Sequence, residues 1–94
     1  MKAKDVIQKE IDGLREIKPR VRHYSAFGDD NWKQIEAQIE TLENGYDEDD
    51  IYNRYENPDV LNSALQAYQW ANDMPIEDSD TDNLVESWGG LVTK

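Results

Sequence analysis

Apolar residues recur along this chain at helical spacing. Ile7, Ile11, Leu14 and Ile17 stand four, three and three residues apart and mark one face of a helix expected over residues 2–18, which Pro19 stops. Trp32, Ile35, Ile39 and Leu42 follow at spacings of three, four and three, a narrow seam suited to packing along another helix. Asp29 or Asp30 is expected to cap its start, and Asn44-Gly45 to end it. A short third helix is expected over residues 48–56, with Asp47 as N-cap, acids filling its first turn, and Ile51, Tyr52 and Tyr55 turned inward. Asn57 as cap and Pro58 at the first helical position open a fourth helix, along which Leu61, Ala64, Leu65, Tyr68 and Ala71 repeat before Met74-Pro75 closes it.

Residues 20–28 read as an irregular connector that lays Val21, Tyr24 and Phe27 onto the core. Gly13 interrupts the first helix at a cost of about 1 kcal/mol relative to Ala, which fits either close packing of a neighbour or a tolerated glycine. Residues 76–94 are mostly Asp, Glu, Ser and Thr until Leu84, Val85, Trp88, Leu91 and Val92, which sit at helical offsets but straddle Gly89-Gly90. The expected fold is all-α: a small bundle of four helices, the third one short, in a domain of residues 1–75. A partly ordered acidic C-terminal tail, 76–94, follows, with one short docked helix in it.

Composition trims this picture. Ninety-four residues, 37% of them hydrophobic, support one thin core and no second domain. A low apolar fraction with a net charge of −11 leans toward disorder, but the aromatic residues and the helical periodicity argue for a folded centre. The chain has no cysteine, which excludes disulfides, a thiolate nucleophile and Cys-based metal sites. Its first ten residues lack the apolar stretch of a signal peptide and no run approaches the roughly 18 apolar residues of a membrane span, so the expected location is cytoplasmic.

The charge is split along the chain. Residues 1–28 hold seven Lys or Arg and four Asp or Glu, whereas residues 29–94 hold three basic and seventeen acidic residues. Such a surface repels nucleic acid and anionic membrane and attracts a basic protein face. Three basic groups at Lys18, Arg20 and Arg22 beside Tyr24 resemble a nucleic-acid contact, yet pairing with the acidic helices explains them more simply.

Few residues point to chemistry. Asp78, Asp80 and Asp82 take positions one, three and five of a calcium loop, but Asn83 stands where glycine belongs, and Gly89 where a bidentate Glu is needed. Glu86 comes three places early, so a solvated acidic linker is the expectation there. His23 is the single histidine, with Ser25 two residues on, and nothing supplies the third group that orients a catalytic base. No catalytic residue, metal site or cofactor is expected.

The acids of the second helix say more. Glu36, Glu40 and Glu43 form a row about a quarter turn from the apolar seam, and Glu43 sits at the negative end of the helix dipole. After Lys33 the only basic residue before Lys94 is Arg54. That helix spans about 22 Å, over which duplex DNA presents about thirteen charges. Its acids imitate a phosphate backbone only if the fold adds those of 47–50 and the tail. Trp70, off the Leu61, Leu65 and Tyr68 face, and Tyr46, in a turn, are either partner anchors or packing residues.

The layout is loosely similar to that of the small acidic immunity proteins that inhibit nuclease toxins, through the short aromatic third helix at Ile51, Tyr52 and Tyr55. Those proteins carry adjacent tyrosines there, whereas Asn53 and Arg54 separate the two here. The resemblance implies an all-α inhibitor of a nucleic-acid-handling protein. The resemblance covers element order and charge only, and the expected function, read from the acidic residues themselves, is a non-enzymatic acidic binding protein, an inhibitor or DNA mimic. Its face of Glu36, Glu40, Glu43, Asp47, Asp49 and Asp50, with Trp70, covers a basic surface on a nucleic-acid-binding partner, with no direct nucleic acid and no membrane. The alternative is a structural or scaffolding subunit that binds through Trp70 and the Leu84, Val85, Trp88 stretch, its acids serving solubility.

Overall fold

The computed structural model describes residues 1–21, 31–74, 83–89 and 92. Among them the chain forms five helices: α1 (Lys4–Ile17), α2 (Asn31–Asn44), α3 (Glu48–Arg54), α4 (Pro58–Ala71) and α5 (Leu84–Ser87). The only extended pairing among the described residues is an isolated antiparallel bridge between Val21 and Val92. The fold is the expected all-α bundle, with a short fifth helix at its C-terminal side.

Local chemistry sets most boundaries. Pro19 lacks an N–H and cannot continue α1, so the chain tightens into a 3-10 turn at Lys18–Arg20. Gly45 ends α2 in the left-handed region, at φ 65°, where glycine meets no Cβ penalty. Asn57 caps α4 by accepting hydrogen bonds from the Asp59 and Val60 amides, with Pro58 next in line. Helix α4 stops at Ala71, earlier than Met74, and Asp73 takes a φ of 58° just beyond it. The expected cap at Asp29 or Asp30 and the side chains of Tyr24 and Phe27 lie outside the described residues.

Helix α1 buries the four isoleucine and leucine positions its spacing marks. Helix α2 is not the narrow seam expected of it. Besides Ile35, Ile39 and Leu42 it buries Asn31, Ala37, Gln38 and Thr41, while Trp32 is half-buried. The physical reason is that α2 is packed on more than one side, against α1 and most extensively against α4. Helix α4 likewise turns a different face inward than its large residues indicate: Ser63, Ala64, Ala67, Trp70 and Ala71 are buried, and Leu61, Leu65 and Tyr68 only partly so. Small side chains at 63, 64, 67 and 71 let the α4 backbone approach α2 closely, which larger side chains would prevent.

Two apolar clusters result. The main one joins Ile7, Ile11, Leu14 and Ile17 of α1 with Ile35, Ile39 and Leu42 of α2, Trp70 of α4, and Leu84 and Trp88 at α5. A smaller one lies under α3, where Ile51 meets Ala37 and Ala64, edged by Tyr46, Tyr55, Leu61 and Tyr68. Gly13 is a site of close packing: a Cβ there would stand 2.9 Å from Val85 Cγ2.

Candidate functional site

The acid row of α2 is engaged within the chain. Lys18 Nζ lies 3.8 Å from Glu36 Oε1, Arg15 of α1 donates to Glu43, and the Tyr55 hydroxyl donates to Glu40 Oε2 at 3.2 Å. Glu36 and Glu43 remain exposed and Glu40 is half-buried. Arg15 of α1 and Lys18 of the turn after it therefore meet two of the three acids, and Lys18 is one of the basic residues expected to pair with an acidic helix. Lys18 also sits 5.4 Å from the centre of the Trp32 ring, so its charge is shared between a carboxylate and an aromatic face.

Helix α3 presents a different surface. Asp47 and Asp50 form a reciprocal capping box: Asp47 Oδ1 accepts from the Asp50 amide at 2.9 Å and Asp50 Oδ2 from the Asp47 amide at 3.3 Å. Two of the acids expected to meet a partner thus also have a local structural task. Asp47, Glu48, Asp49 and Asp50 are all exposed, as are Glu56 and Asp59 beyond the end of α3. Among the described residues no ion pair engages any of these six carboxylates. The one cation of the segment, Arg54, stacks over the Tyr46 ring at 4.4 Å.

Tyr52 corrects an expectation. It is 59% exposed rather than turned inward, because a seven-residue helix anchored by Ile51 and Tyr55, four residues apart, has only one face to bury. Tyr55 is half-buried and ties α3 to α2 through Glu40. Burial first, and the Glu40 carboxylate second, push its hydroxyl up to about 12.

Trp70, expected as a contact residue, lies instead in the main core at 4% exposure. Lys2 covers it: the ammonium is 4.8 Å from the ring centre and donates to the Trp70 carbonyl at 2.8 Å and to Asp73 Oδ1 at 2.6 Å. That hydrogen bond holds the Asp73 carboxyl below its usual range. Leu84 and Trp88 are buried as well. The hydrophobic effect takes large apolar groups into a thin core, so the aromatic surface required by a scaffolding role is not presented at these positions.

An open groove of about 490 Å³ runs between α1 and the C-terminal end of α2, with Ile7, Ile11 and Leu42 below and Lys4 and Arg15 beside it. Its single carboxylate, Glu43, is the one engaged by Arg15. Among the described residues no three acidic, histidine or cysteine side chains are grouped to hold a metal, and no helix is long and apolar enough to cross a membrane. His23, Ser25, Arg22, Asp78, Asp80 and Asp82 lie outside the described residues. One polar residue that periodicity passed over is Gln38, fully buried, whose Oε1 accepts from Trp88 Nε1 at 2.9 Å. No family model matches this sequence, and no curated protein or solved structure is found similar to it.

Proposed function

We propose that this protein is a non-enzymatic acidic binding protein that covers a basic surface on a nucleic-acid-binding partner, and that its contact face is α3 with the residues bordering it. The observation that carries the reading is the contrast between two acid groups. The α2 row has internal partners, whereas Asp47, Glu48, Asp49, Asp50, Glu56 and Asp59 are exposed and free of ion pairs among the described residues, and Tyr52 of the same segment is exposed too. An exposed tyrosine on an acidic segment is suited to a partner of complementary charge, since aromatic anchors supply binding energy and the acids supply rate and specificity.

Helix α3 is about 10 Å long, over which duplex DNA presents about six phosphates. With its Asp47 cap it carries four acids and Arg54, so α3 alone falls short of a phosphate backbone and a DNA-like charge row needs Glu56 and Asp59 beyond it as well. The test is affinity capture from the native host with wild-type, Asp49→Lys/Glu56→Lys and Glu36→Lys baits, at low and high salt. A partner held by the wild type and Glu36→Lys, lost with the double reversal, and released at high salt supports α3 as the face. Equal retention by all three baits at both salts refutes it.

A further inference from the structure

We propose that the groove bordered by the C-terminal ends of α2 and α4 is the seat of an arginine side chain of the basic partner. This rests on the function proposed above and adds to it the place where one cation of the partner is held. The groove measures about 260 Å³, below the roughly 300 to 1,000 Å³ of small-molecule sites. It is sized for one long side chain.

The apolar lining suits the stem of such a side chain. Ile7, Leu42 and Ala71, all buried, line the groove together with the half-buried Tyr46 and Tyr68. Arginine buries its methylene stem along apolar surface of this kind while its charge stays in water, and its planar guanidinium stacks on aromatic faces. The chain shows this stacking itself: Arg54 lies 4.4 Å over the Tyr46 ring, and it is not among the described residues that line the groove.

The electrostatics call for a cation. Among the described residues Asp47 is the one charged side chain that lines the groove. Its Oδ1 accepts from the Asp50 amide, and no ion pair engages the carboxylate. Thr41 and Asn72 spend donors on carbonyls four residues back, those of Ala37 and Tyr68, at 2.7 and 2.9 Å. Leu42 near the end of α2 and Ala71 at the end of α4 both line the groove, and neither helix has a basic residue in its last turn. Two negative dipole ends therefore border it. At the same end of α4, outside the groove, the chain already seats a cation in this way: Lys2 joins the Trp70 ring, the Trp70 carbonyl and the Asp73 carboxylate. The groove offers the same kinds of group, an aromatic ring, a helix end and a carboxylate. The forked donors of a guanidinium can meet the last two together. Lys4 and Arg15 border the larger groove next to it and not this one.

The test follows the backbone amide resonances of the full chain by NMR as N-acetyl-arginine amide is added, with N-acetyl-lysine amide and the uncharged N-acetyl-norleucine amide in parallel. Saturable shifts at Gly45, Tyr46, Asp47 and Asn72, in about the millimolar range for so small a probe, support the seat when arginine binds tightest and norleucine leaves these amides unmoved. Asp47→Asn keeps a capping residue at the start of α3. It should weaken arginine binding about fivefold, and Glu36→Gln, the same change of charge outside the groove, by less than about twofold. No saturable shift at these amides, equal shifts from norleucine, or equal weakening by the two variants overturns the seat. Lysine binding as tightly as arginine overturns arginine as the occupant. The α3 face has its own readout. If the probe misses the groove while capture of the host partner still depends on Asp49 and Glu56, the seat alone fails. If the probe binds as expected while capture ignores the Asp49→Lys/Glu56→Lys reversal, the α3 face alone fails.

Discussion

At the scale of single residues, Tyr55 shows how one contact links stability to pH. Below pH 10 it is protonated in folded and unfolded chains alike. Between about pH 10 and 12 the unfolded chain releases the proton while the folded one keeps it, because burial and the Glu40 carboxylate oppose a phenolate. Stability is therefore fully present below pH 10 and falls as pH rises through that window. Tyr55→Phe should flatten this fall in urea titrations across pH 8 to 12, and lower stability at pH 7 by about 1 kcal/mol for the lost hydrogen bond. The sequence marked Tyr55 as an inward residue, and it is half-buried at the edge of the smaller cluster. It could not separate Tyr55 from Tyr52, since three positions on one short helix all lie within a third of a turn or so of the same face. Trp70 carries the same lesson in reverse: its distance from the Leu61, Leu65 and Tyr68 row looked like exposure, and it is buried because α2 and α1 lie on its side.

At the scale of elements, caps and stops were legible because each depends on residues at most a few positions apart. The α3 capping box is such a signal, and it makes a separable prediction. Asp47→Ala should destabilise the chain by about 1 kcal/mol through the lost cap, measured by thermal or urea unfolding, and adding Asp50→Ala should cost less than a second such increment because the two side chains serve one box. Asp49→Asn, which removes charge without touching the box, should leave stability within about 0.5 kcal/mol. The buried face of α4 was legible only in part: of the repeating positions Ala64 and Ala71 are buried, whereas Leu61, Leu65 and Tyr68 are only partly so. Periodicity weights large apolar residues, whereas Ser63, Ala64, Ala67 and Ala71 line the close approach of two helices by being small. Gly13 was legible as a question and answered only by Val85, seventy-two residues away in the sequence.

At the scale of the whole molecule, a net charge of −11 is distributed unevenly. Arg15 and Lys18 of the basic N-terminal part lie against Glu43 and Glu36, and the acids at α3 keep their charge facing solvent. Screening should relieve the self-repulsion of the folded chain more than it weakens these exposed pairs, each worth at most about 1 kcal/mol. Raising salt from about 0.01 M to 0.1 M, which shortens the Debye length from about 30 Å to about 10 Å, should therefore raise the melting midpoint. A relief of about 1 kcal/mol corresponds to roughly 4 to 8 °C in a domain of this size, readable by scanning calorimetry. What the sequence determined by itself is the four longer helices, the caps at Asp47 and Asn57, the stops at Pro19 and Gly45, the α1 face, and the imbalance of charge, because these are read from the composition or from neighbours a turn or so apart. Only the tertiary structure decided which acids meet a cation, which aromatics are buried, and where the C-terminal helix docks. Those outcomes rest on pairs such as Arg15 with Glu43, Gln38 with Trp88 and Glu10 with Val85, separated by 28, 50 and 75 positions. Their meeting depends on how close the helix backbones pack, which no local spacing encodes.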